Sequence, residues 1–111
     1  MNLIIRLARN KYFVVFFLFV IWMAFFDPRD WGLIWTRPGL PRKIRSLVNI
    51  AMISTLNRPH ELKIHVKGAI RNGLSKEEIR EVLFQVAIYA GVPAGVDSFR
   101  IAKEALTEMG V

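Results

Sequence analysis

The stretch "ELKIHVKGAIRNGLSKEEIREVLFQVAIYAGVP", residues 61–93, decides the fold class. Asn72-Gly73 reads as a glycine stop closing one helix. Ser75-Lys-Glu-Glu78 is a capping box, with serine at the cap and a glutamate three residues on, so a second helix opens there. Ile79, Val82, Leu83 and Val86 recur at helical spacing and mark its buried face, and Gly91-Val-Pro93 ends it. Toward the C-terminus, Ala94 to Met109 reads as a last helix, with Val96, Phe99, Ile101, Ala102 and Leu106 inward. Toward the N-terminus, Pro59 restrains Arg58 and opens the helix that carries Glu61. Before it, Pro41 starts a helix in which Ile44, Leu47, Val48, Ala51, Met52 and Thr55 recur at helical spacing, ending near Asn57. No alternating strand pattern occurs, so the fold class is all-α.

Residues 31–40, "WGLIWTRPGL", read as a short helical turn broken by Pro38-Gly39, and ahead of them the pattern changes. Residues 12–26, "YFVVFFLFVIWMAFF", are uninterrupted and apolar, bracketed by Lys11 and Asp27. Such a run makes about 22 Å of helix against a hydrocarbon core of roughly 30 Å. Arg6, Arg9 and Lys11 on one side, with Tyr12 and Trp22 as interfacial anchors, favour a membrane anchor over 12–26. Arg29, Arg37 and Arg42 on the other side blur its orientation. A cleaved signal peptide fits poorly, since only Ala24 supplies a small residue after the apolar core. The remaining reading is a helix buried within an oligomer. The expected organisation is a hydrophobic N-terminal helix over 1–30 and a helical domain over 31–111.

Composition removes several function classes. At 111 residues the chain holds one modest core, and such a core commonly finds help from a partner. There is no cysteine, hence no thiol nucleophile, redox pair or thiolate metal site, and two histidines are too few for a histidine metal cage. The net charge is +7. Residues 1–30 set four Lys/Arg against Asp27 and Asp30, and residues 31–111 set twelve against seven acids. The excess is spread out, without basic runs interleaved with aromatics, so nucleic acid is not expected as a partner. A small anionic substrate suits the charge.

Glu61 and His65 lie four apart and share a helix face. A carboxylate beside an imidazole fixes its tautomer and raises its pKa, favouring proton transfer near neutrality. The bland reading is an exposed pair worth a few tenths of a kcal/mol. His60, one residue after the helix-opening proline, reads as a solvated first-turn residue. Arg37 and Arg45 flank the Pro-Gly turn and the helix after it, and either guanidinium suits a substrate carboxylate. Tyr89 closes an apolar helix, as a core residue or one facing a pocket.

Trp35-x-Arg37-Pro-Gly-Leu40, Arg45-Ser46-Leu47, Glu61-Leu62-x-x-His65, Asn72-Gly73, Glu78-Ile-x-Glu81 and Tyr89-x-Gly-Val-Pro93 occur in order. With them, residues 31–106 resemble the carboxymuconolactone decarboxylase family. The resemblance implies a small helical bundle of the decarboxylase and alkylhydroperoxidase D-like type and a ring-like homo-oligomer, a trimer or hexamer. It implies no metal or organic cofactor, and a carboxy-lyase reaction converting 4-carboxymuconolactone to the enol-lactone of 3-oxoadipate in bacterial protocatechuate catabolism, the beta-ketoadipate pathway. On the matching positions His65 takes the role of proton shuttle, Glu61 orients it, Arg37 or Arg45 anchors a carboxylate, and Tyr89 joins the substrate site. The thiol peroxidases of the superfamily use Glu-x11-Cys-x2-Cys-x3-His. With His65 on that histidine, the cysteine positions fall on Arg58 and Glu61 and the glutamate on Ser46, so that chemistry is excluded.

Residues 10–30, "NKYFVVFFLFVIWMAFFDPRD", resemble the membrane segment of septum formation initiator proteins, but no coiled-coil heptads follow. Decarboxylase-family members usually begin with a soluble helical stretch where this chain has its apolar run. The change near Asp30-Trp31 therefore reads as the junction of a fusion, a reading-frame artefact or a chimera. The expected location is a cytoplasmic domain, membrane-anchored by its N-terminal helix. The rival to an enzyme is a membrane-tethered oligomerisation module, or a chimeric chain, without activity.

Overall fold

The computed structural model describes residues 2–25 and 28–111, and every regular element among them is an α-helix. Phe26 and Asp27, which close the apolar run read from the sequence, lie outside the described residues. The chain divides into two compact units, residues 1–37 and 38–111.

In the first unit, α1 spans Leu3–Ala8, α2 Lys11–Phe25 and α3 Pro28–Trp35. Asparagines start the first two helices. Asn2 Oδ1 accepts from the Ile4 amide at 3.1 Å, and Asn10 Oδ1 from the Tyr12 amide at 2.9 Å, satisfying amides that a helix start leaves without partners. The large apolar side chains from Tyr12 to Trp22 are all exposed. The membrane span read over 12–26 is not supported. At 15 residues α2 reaches about 22 Å, and among the described residues no helix is long and apolar enough to cross a membrane.

In the second unit, α4 (Arg42–Thr55), α5 (Pro59–Arg71), α6 (Lys76–Ala90) and α7 (Val92–Met109) form a four-helix bundle. Around it α4 packs on α5 and α6, and α7 packs on the other sides of both. Its centre is built from Ile50, Leu62, Val66, Ile79, Leu83 and Ile101. The boundaries have local causes. Asn57 takes a left-handed φ of 55°, which asparagine tolerates, and Pro59 opens α5. The capping box forms as expected: the Glu78 amide donates to Ser75 Oγ at 3.0 Å, and the Ser75 amide to Glu78 Oε1 at 3.2 Å.

Three expectations are corrected. The last helix begins at Val92 and not Ala94, because Pro93 occupies a first-turn position that needs no amide hydrogen, leaving Gly91 at φ +107° as the whole connection from α6. Val96, expected inward, is exposed, while Gly95 and Ser98 are buried. On α4 the inward residues are Ser46, Ile50 and Ser54, so Ile44, Val48 and Met52 face outward.

Charge ties α5 to α7. Lys63 Nζ donates to Glu108 at 2.8 Å and lies 3.4 Å from Glu104, and Lys67 Nζ donates to Glu108 at 2.5 Å. The two lysines hold the Glu108 carboxyl at about 2 against an ordinary 4.5. A depressed carboxyl stabilises the fold fully above its unfolded pKa, and that contribution fades as pH falls from 4.5 toward 2. The melting temperature of the native chain should therefore fall more steeply over this window than that of Glu108→Gln, as checked by circular dichroism. Parallel curves for the two proteins would show that the pair does not couple to folding.

Candidate active site on the α5 face

Helix α5 turns Leu62, Val66 and Ala69 into the core, leaving Glu61, His65, Gly68 and Asn72 along the flank of that buried stripe. His65 is half-buried and Glu61 exposed. Burial pushes the His65 imidazole below its ordinary 6.5, and the Glu61 charge opposes this without overcoming it. The expected rise is thus corrected. Spacing reveals the carboxylate, but the desolvation that outweighs it arises only when α5 packs. An empty site therefore holds a neutral imidazole at pH 7, able to accept a proton through one nitrogen and donate through the other.

The end of α5 is anchored by a contact that spacing did not reveal. Asn72 Nδ2 donates to Ser46 Oγ at 2.9 Å, and Ser46 is 2% exposed. In the sequence Asn72 reads as part of a glycine stop and of the family pattern, and neither points to Ser46. Arg45, the chain neighbour of Ser46 on α4, is half-buried with its Nε shielded from solvent. Asn72 and His65 are seven residues apart, about 10 Å of helix, a distance that a long arginine side chain and a small diacid can share. Between them Gly68 leaves open space where a side chain would stand, with nothing within 4 Å of an added Cβ.

The other two candidates are exposed. Arg37 is exposed and belongs to the first unit. Tyr89, read as core or pocket-facing, is 85% exposed at the end of α6. Its spacing from Val82 and Val86 suits the buried face, but α7 departs through Gly91 one residue after the helix ends, and the tyrosine remains uncovered. His60 is exposed, as expected of a first-turn residue. Among the described residues no group of three or more His, Asp or Glu could hold a metal ion.

A profile of the carboxymuconolactone decarboxylase family matches residues 22–104, which include the whole α5 face. The chain belongs to the carboxymuconolactone decarboxylase family.

Three curated relatives share this similarity. The chain is 41% identical over 81 residues to a 4-carboxymuconolactone decarboxylase of Acinetobacter baylyi, covering 73% of this chain and 60% of the relative. It is 38% identical over 79 residues to a nitrosuccinic acid decarboxylase of Metarhizium robertsii, covering 71% and 55%. It is 34% identical over 80 residues to an uncharacterized 15.0 kDa protein of Paracoccus denitrificans, covering 69% and 59%. The chain thus spans between 55% and 60% of the length of the relatives it matches. None of these similarities involves septum formation initiator proteins, and the decarboxylase-family match begins at Trp22, inside the stretch that resembles their membrane segment.

Proposed function

We propose that this chain is a decarboxylase of a small activated acid, working without metal or organic cofactor, with 4-carboxymuconolactone as its first candidate substrate and aromatic catabolism as its setting. The observation that carries this reading is the family match across the unit holding Glu61 and His65, joined to two relatives named as decarboxylases. Those names point to related chemistry. Loss of carbon dioxide leaves an electron pair that needs an acceptor, and a lactone carbonyl and a nitro group both serve as one.

Arg45 pairs with a carboxylate that the substrate keeps. As the anion displaces water from the α5 face, its charge favours the imidazolium form of His65, offsetting the burial that keeps the empty site neutral. The carbon–carboxylate bond breaks, carbon dioxide leaves, and the electron pair moves into the lactone carbonyl. His65 then delivers its proton to carbon, with Glu61 orienting the ring, and regains a proton from solvent. Tyr89 serves the substrate site from the end of α6.

The subunit works as a homo-oligomer, a trimer or hexamer. Supporting this are Ile44, Val48 and Met52, in an outward row one turn apart on α4, and Ile88, Tyr89 and Val92 around the α6–α7 connection, all exposed in the single chain. The test is turnover of 4-carboxymuconolactone by the full chain, followed by ultraviolet absorbance, with oligomeric state measured by sedimentation. Carbon dioxide release from an oligomer supports the reading. A folded oligomer without turnover would favour the assembly module instead.

A further inference from the structure

A cleft of about 390 Å³ runs between α6 and α7, lined by neither Glu61 nor His65. Ile79 and Leu83 from α6 and Phe99 from α7 give it an apolar floor, and Lys76, Arg80 and Lys103 stand around it. The Phe99 ring is held in place by Phe84, with centroids 5.2 Å apart.

Charge around this cleft is one-sided. Along α5 and α7, Lys63 and Lys67 are matched by Glu104 and Glu108, and Lys43 on α4 meets Glu78 at 3.1 Å. In the α6–α7 cleft three cations gather with no Asp or Glu side chain in the lining. Among the described residues Lys76 and Lys103 form no ion pair, and Arg80 reaches only its chain neighbour Glu81, at 3.9 Å. Like charges around one apolar hollow repel, and an anion among them would relieve that repulsion. Its volume lies in the range of small-molecule pockets, and a half-buried aromatic ring beside cations suits a flat, apolar anion.

We propose that the α6–α7 cleft binds an aromatic monocarboxylate, its carboxylate among Lys76, Arg80 and Lys103 and its ring against Phe99 and Leu106. This site is separate from the α5 face and does not rest on the decarboxylase reading. The probe is 2-naphthoate, titrated into the full chain by calorimetry. An ordinary ligand efficiency for a molecule of this size gives a dissociation constant on the order of 1 mM or tighter.

Arg80→Gln combined with Lys103→Gln changes only exposed side chains, and it should weaken binding by about tenfold or more, as loss of charge-assisted contacts does. The neutral 2-naphthamide should bind correspondingly worse than the acid, and added sodium chloride should weaken the acid alone. His65→Ala should leave naphthoate binding unchanged. Binding lost in His65→Ala but kept in the charge variant would place the anion on the α5 face and overturn the proposal. Equal affinity for acid and amide, or no binding at all by the folded chain, would overturn it as well.

Discussion

If the chain is the decarboxylase proposed, His65→Ala should lower its turnover by roughly two to four orders of magnitude, the range a positioned proton-transfer group supplies. The fold should survive, because His65 lies beside the buried stripe of α5 and not within it: Leu62, Val66 and Ala69 carry the packing. His65→Gln is the sharper variant, keeping a polar side chain of similar reach while removing the group that changes protonation near neutrality. Turnover should fall nearly as far, with an unaltered circular dichroism spectrum and oligomeric state. Undiminished turnover in His65→Gln would remove the imidazole from the chemistry.

An independent readout comes from the imidazole itself. Burial lowers the His65 pKa and Glu61 opposes the shift, so Glu61→Gln should lower it further. Nuclear magnetic resonance titration should place His65 below 6.5 in the native chain, and lower again in Glu61→Gln. Because the folded value is depressed, the unfolded chain takes up this proton more readily. The His65 contribution to stability is therefore full above 6.5 and is lost as pH falls through the folded value. An unchanged midpoint in Glu61→Gln would show that the two side chains share a face without sensing each other.

Local signals in the sequence were legible because they act over a few residues. The Ser75–Glu78 box, the proline opening α5 and the glycine after Asn72 need only their neighbours. What was illegible depends on other helices. On α4 an apolar count selects Ile44, Val48 and Met52, yet the bundle buries Ser46 and Ser54, whose small side chains suit close helix contact. Ser46 also receives the Asn72 amide from 26 residues away, a partner that no periodicity reveals. Tyr89 follows Val86 at helical spacing and still ends exposed, because spacing predicts a face but not where the covering helix stops. Glu61 and His65 were visible as a pair, whereas the balance between burial and charge at His65 was not.

The same dependence on a neighbouring helix makes Gly95 sensitive to substitution. A Cβ built there would stand 2.5 Å from the Ala87 Cβ and 2.9 Å from the Ala87 Cα. Both distances are too short for carbon atoms in contact, and neither neighbour is the end of a flexible side chain. Backbone must therefore move, close to a connection consisting of Gly91 alone. Overpacking of this kind costs about 1–3 kcal/mol or more, while the better helix propensity of alanine returns up to about 1 kcal/mol. Gly95→Ala should destabilise the chain by about 1 kcal/mol, lowering the melting temperature by roughly 5 °C for a unit of this size. Gly68→Ala is the control of opposite sign. Its Cβ meets nothing within 4 Å, so propensity acts alone and melting should rise. Ala87→Gly in the Gly95→Ala background removes the shorter contact but not the one to the Ala87 backbone, so recovery should be partial. If Gly95→Ala instead melts at or above the native temperature, α6 and α7 are not held together at this crossing, and the one-residue connection tolerates the separation that the added methyl demands.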